Sequence, residues 1–187
     1  MTDAGNTAIG NAERIERHTL AVLVVNEPGV LARVIGLFAG RGYNIESLTV
    51  AEVERPDLTR GQGLSRITLV TSGTRMIIDQ IKTQLERLVP IRRVRDLTEE
   101  GPFVGRELAL VKIVGEAGGE NTRRGDVLRI AEGFGARIID SSESSFVFEV
   151  TESTEKVDQF LAMMAGLGRL EVARTGIVAL SRGPESI

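Results

Sequence analysis

Side chains able to do covalent or acid–base chemistry are scarce in this 187-residue chain. It has no cysteine and one histidine, His18, so neither a thiolate metal site nor a Cys–His dyad can form within one chain. The patterns GxSxG, HExxH and GxxxxGK(S/T) are absent, and no GxGxxG follows a strand-like run. His18 opens a β-like run, where a surface or sheet-edge role is expected. Carboxylates are plentiful but scattered over helix faces and loops, the pattern of solvated side chains. The chain therefore reads as non-catalytic, with no metal ligand set. Two basic clusters, Arg92-Arg93-Arg95 and Arg123-Arg124, stand against an overall charge of −3, from 23 Lys and Arg and 26 Asp and Glu. Nucleic-acid binders carry a basic surplus that displaces counterions, and RNA-reading sheets carry exposed aromatics. The strand-like run 65–71, SRITLVT, has none. These arginines are read as a solvated face or a subunit contact.

One segment has the chemistry of a binding site. Asn26-Glu27-Pro28-Gly29-Val30-Leu31 lies between a strand-like run and a helical period. A helix start presents unpaired N–H groups and a partial positive charge, both attractive to a carboxylate. Gly29 lets a ligand approach the backbone, Pro28 stiffens the turn, and the Asn26 amide offers a donor and an acceptor. Together they suit the carboxylate and amine of a free amino acid. The same residues also suit a capped turn that only starts a helix.

The elements that must position this loop follow from periodicity. Residues 18–25, HTLAVLVV, form a near-continuous β run, as in a strand covered on both faces. Val30, Leu31, Val34, Leu37 and Phe38 make a helical stripe that ends at the glycines around Arg41. A strand is expected over 43–53, a turn-rich loop over 55–63 and a strand over 65–71. Thr74 can cap a helix with Ile77, Ile78, Ile81, Leu85 and Leu88 on one face, which Pro90 ends before a strand at 91–97. A linker is read at 98–105, after which the order repeats. It runs strand 107–114, turn 115–120, helix 121–134, hairpin 136–140 and 145–151, helix 154–167, and a closing strand 170–180. The fold class is thus α+β, two tandem ferredoxin-like βαββαβ units. A flexible N-terminus spans 1–14, the first domain 15–97, the second 106–183, and a tail 184–187. Modules this small bury only about 60–65% of their unfolded surface, so they should lean on each other or on a partner. The first 18 residues have no apolar core of signal-peptide length, and no stretch is long and apolar enough to span a membrane. With no cysteines, a reducing cytoplasmic setting is expected.

The run NEPGVLARVIGLF from Asn26 to Phe38 resembles the amino-acid-binding loop and helix of ACT domains. The decamer RGYNIESLTV, from Arg41 to Val50, narrows the resemblance to the acetohydroxyacid (acetolactate) synthase small subunit. LVKI at 110–113, IID at 138–140 and EVARTGIVALSRG at 171–183 are similar to that family's second domain. The resemblance implies a regulatory subunit of branched-chain amino-acid biosynthesis. Such a subunit activates a catalytic large subunit and confers feedback inhibition by valine, and in some members by leucine or isoleucine. It implies no cofactor in this chain, with thiamine diphosphate, Mg2+ and FAD expected in the catalytic partner. It also implies a homodimer formed through the ACT domain. The effector is then held between Asn26, Gly29, Val30 and Leu31 of one protomer and Asn44 and Ile45 of the other. A sensor subunit of a different metabolic enzyme is the alternative. In the second domain, Glu116 and Glu120 flank the corresponding turn and would repel a carboxylate, so no amino-acid site is expected there.

Overall fold

The computed structural model describes residues 14–54, 63–115, 121–184 and 187. Most of the expected flexible N-terminus, residues 55–62 of the hairpin loop, the 116–120 turn with Glu116 and Glu120, and 185–186 of the tail lie outside the described residues.

The first half runs β1 (Glu16–Val25), α1 (Val30–Arg41), β2 (Ser47–Glu54), β3 (Leu64–Gly73), α2 (Arg75–Glu86) and β4 (Ile91–Asp96). The second runs β5 (Phe103–Val114), α3 (Asn121–Gly133), β6 (Arg137–Ser141), β7 (Ser145–Glu152), α4 (Thr154–Ala165), β8 (Arg169–Arg174) and β9 (Val178–Ser181). The sheets are ordered β2-β3-β1-β4 and β6-β7-β5-β8. These are the same topology, since each unit's first strand sits inside between its third and fourth. The α+β, doubly ferredoxin-like architecture expected from the sequence is the one observed.

Each unit buries one sheet face beneath its two helices. In the first, Leu20, Val22 and Val24 of β1 and Ile67 and Leu69 of β3 meet Val34 and Phe38 of α1 and Ile78, Ile81 and Leu85 of α2. In the second, Val111, Phe148 and Val150 meet Val127, Phe160 and Met164. Truncating a fully buried ring such as Phe148 or Phe160 would cost about 3–5 kcal/mol. The opposite faces differ. The first sheet's is partly covered by the second half, where Ala21 and Leu97 pack with Ala179, Phe103 and Ile187. That cover is why β1 can be apolar at consecutive positions. β7 alternates buried and partly exposed residues, the pattern of a strand with one covered face.

Three local expectations change. β2 starts at Ser47 rather than at residue 43, because Gly42 ends α1 in the left-handed conformation (φ 70°) and residues 43–46 cross the sheet end. Tyr43 and Ile45 pack on the core there, and Thr71 Oγ1 donates to the Asn44 carbonyl at 2.6 Å. The stretch read as a linker is a turn only through Pro102. β5 begins at Phe103, and its first four residues pair with β9, Phe103 opposite Ser181 through Arg106 opposite Val178. The closing strand is two strands, because Gly176 takes φ 83° and breaks the run. β8 pairs with the far end of β5, while β9 crosses to the first domain.

Candidate effector site

The loop sits where β1 hands over to α1. The Asn26 N–H donates to the Gly63 carbonyl at 2.7 Å and the Val25 N–H to that of Pro90 at 2.8 Å, which pins the strand end. Gly29 then occupies the helix N-cap with φ 85°, and no side chain caps the helix. The contrast with two other helices is informative. The Thr74 hydroxyl accepts from the Ile77 N–H on α2, and the Ser153 hydroxyl accepts from the Lys156 N–H on α4. The first turn of α1 has no acidic residue either. Glu27, just before it, is tied to Arg33 at 2.6 Å. Among the described residues a Cβ on Gly29 would meet nothing within 4 Å, so these residues leave the approach to the amides open. A helix start left uncapped, neutral and accessible can accept an anion.

The other loop residues divide. Val30 is buried in the core, so only its backbone can face a ligand, whereas Leu31 is half-buried. Asn26 is exposed, and its amide Nδ2 donates to Glu52 Oε1 at 3.3 Å rather than capping the helix. Sequence reasoning did not single out Glu52, a charged residue in a strand and unremarkable by pattern. Pairing brings its carboxylate beside the loop, where it could receive the ammonium of a bound amino acid.

Asn44 and Ile45 lie at the opposite end of the sheet. Thr71, which holds the Asn44 carbonyl, pairs with His18, eight positions along β1 from Asn26. At strand rise that is about 26 Å. The structure thus groups Asn26, Gly29, Val30 and Leu31 and sets Asn44 and Ile45 apart from them within one chain.

β2 and β3 also carry the seam between the domains. The Ile177 N–H donates to Ser47 Oγ at 3.1 Å, Thr49 Oγ1 donates to the Ile177 carbonyl at 2.5 Å, and Arg66 Nη2 donates to the Ala179 carbonyl at 2.8 Å. Behind the bend, Arg174 bridges Glu107 and Asp158. Burial works against the Arg174 charge, but hydrogen bonds to those two carboxylates hold its guanidinium above the ordinary value.

Other residues singled out in the sequence have structural roles. His18 is not a surface residue. It is buried, with Nδ1 2.7 Å from Asp96 Oδ2, because β1 is an interior strand and β4 brings Asp96 alongside. Asp96 also accepts from the Thr98 and Glu99 N–H groups. Of the basic clusters, Arg95 is buried and paired with Glu100. Arg124 stacks 4.0 Å over the Phe146 ring and donates to the Ser142 and Glu143 carbonyls. Among the described residues there is no metal-binding cluster of three or more acidic or histidine side chains, and no helix long and apolar enough to cross a membrane.

Residues 20–93 match the family model described as the AHAS small subunit-like ACT domain, and residues 106–183 match that of the small subunit of acetolactate synthase. The chain is 46% identical over 167 residues to the probable acetolactate synthase small subunit of Archaeoglobus fulgidus, covering 89% of this chain and 98% of the relative. It is 44% identical to the acetolactate synthase isozyme 3 small subunit of Escherichia coli, covering 89% and 96%. The crystal structure of the acetolactate synthase small subunit from Thermotoga maritima superposes with a TM-score of 0.75 at 35% identity, covering 91% of this chain and 99% of that one.

Proposed function

The chain belongs to the acetolactate synthase small-subunit family, and from that premise we propose that it is a cytoplasmic, non-catalytic regulator of branched-chain amino-acid biosynthesis. It activates a thiamine-diphosphate-dependent catalytic subunit, itself carrying Mg2+ and FAD, and transmits feedback inhibition by valine. The observation that carries the effector site is the start of α1, uncapped at Gly29, with the Glu52 carboxylate bonded to Asn26 of the same loop. The two poles match a zwitterion, the carboxylate on the amides and the ammonium toward Glu52.

The pocket is completed by a second protomer. Asn44 and Ile45 are too far from the loop to reach a ligand held by the same chain. Two features favour pairing with a second copy. β2 is an edge strand of its sheet, and such edges invite a second copy. The outer face of α1 presents Ala32, Gly36 and Gly40, all exposed, around Ile35, which is 44% exposed. Small residues at four-residue spacing let helices approach closely.

By linkage, an effector that needs two protomers stabilises their association. Valine at 100 times its Kd adds about 2.7 kcal/mol per site. Sedimentation at low protein concentration should then show a tighter dimer with valine, and Asn26→Ala and Asn44→Ala should each blunt the response. Equal dimer dissociation with and without saturating valine would refute the shared pocket.

A further inference from the structure

On the face of the first sheet that the second half partly covers, β9 and the start of β5 leave a groove of about 380 Å3 beside β2 and β3. That is within the size range of small-molecule sites, about 300–1,000 Å3. Its walls are aliphatic, with Val53, Val104, Val178 and Leu180 among them. Arg66 crosses its floor and reaches the Ala179 carbonyl. Arg106 stands at the rim, with Glu152 3.9 Å away.

Arg66 is the unusual feature. Its Nε is buried with no hydrogen-bond partner among the described residues, and no carboxylate is among the causes that shift its charge. Burial, and then the neighbouring Arg95, push its guanidinium below the ordinary value. Arg66 is half-buried, and a cation partly drawn out of water beside a like charge is disfavoured. An anion seated on it offsets that cost and gains a charge-assisted hydrogen bond. No Asp or Glu is among the described residues that line the groove, and Glu152, beside Arg106, is already held by Arg106 and Lys156.

We propose that this groove is a second ligand site, distinct from the effector loop, for a short aliphatic monocarboxylate without an amino group. The carboxylate sits on Arg66 and the hydrocarbon lies against the valines and Leu180. An α-amino acid is disfavoured by the described lining, because its ammonium would lie near the Arg66 guanidinium, with Glu152 already held by Arg106 and Lys156.

The test is calorimetric titration of the full-length chain with isovalerate and with α-ketoisovalerate, each repeated in saturating valine. Both acids should give saturable heats that valine leaves unchanged. Arg66→Met should weaken them by about tenfold or more, the worth of one hydrogen bond to a charged group. Arg66 also bonds across the domain seam, so Leu180→Glu is the deciding variant. Residue 180 is 62% exposed, and the change places a carboxylate on the wall without touching the seam. It should weaken both acids at least as much. The proposal fails if neither acid saturates, if valine displaces them, or if Leu180→Glu binds like the parent. It also fails if Leu180→Glu only lowers self-association in sedimentation, which would make the groove a subunit contact.

Discussion

Gly176→Ala should loosen the joint between the domains, and its cost can be worked from local geometry. Gly176 has φ 83°, and a Cβ there would lie 2.5 Å from Ser47 Oγ. The left-handed conformation costs an alanine about 1–2 kcal/mol. The clash then pushes aside the hydroxyl that accepts from the Ile177 N–H at 3.1 Å. Leaving that partly buried amide unpaired costs about 1–3 kcal/mol. A total destabilisation of about 2–5 kcal/mol is expected, read as a lowered urea midpoint with faster hydrogen exchange at Ile177. Ser47→Ala removes the same acceptor without straining the backbone, so it should cost only the second part. Both changes break one contact, so the double variant should cost little more than Gly176→Ala alone. Simple additivity of the two single variants, or a Gly176→Ala protein within about 0.5 kcal/mol of the parent, would refute the reasoning.

Gly29→Asp puts a carboxylate at the open start of α1, where it can cap the helix and occupy the anion site. With nothing within 4 Å of that Cβ, and with aspartate among the residues that tolerate left-handed geometry, folding should survive. Valine inhibition of the reconstituted enzyme should be lost while activation of the catalytic subunit remains, and unchanged valine sensitivity would place the site elsewhere. The Lys82 ammonium, 2.7 Å from Glu99, holds the Glu99 carboxyl below its ordinary range. A depressed carboxyl favours the folded state above its unfolded pKa and loses that contribution as pH falls through the depressed value. Glu99→Gln should therefore cost up to about 1 kcal/mol at neutral pH, since the pair is partly exposed and screened by solvent. The two unfolding curves should converge in acid, and a gap that widens as pH falls would contradict this.

What the sequence disclosed and what it hid divide along physical lines. Local signals held. The stripe from Val30 to Phe38 is α1, the Thr74 cap is formed, and alternation in 145–151 matches a strand with one covered face. The repeated order of elements was enough to recognise two ferredoxin-like units. Missed features depend on partners distant in the chain. Val178-Ala179-Leu180 reads as a continuation of β8, and only Gly176 signalled the break. Phe103 and Val104 are strand-like residues, but Gly101 and Pro102 beside them made the stretch look like a linker. Glu52 beside the loop and Asp96 beside His18 follow from strand register, which a single sequence does not display.

β2 is where these findings meet. The segment entering it carries Asn44 and Ile45, Ser47 and Thr49 near its start are tied to Ile177, and Glu52 near its end reaches Asn26. The strand therefore touches both halves of the proposed effector pocket and the second domain within a few residues. Its pairing with β3 runs without a shift from Ser47 to Glu52 and slips only beyond it, so one continuous register joins the two ends. An effector that repositions residues 44–45 against a neighbouring protomer must either carry the Ser47 and Thr49 hydrogen bonds with it or break them. In both cases the bend at Gly176 responds. The second domain thus needs no amino-acid site of its own to register the occupancy of the first.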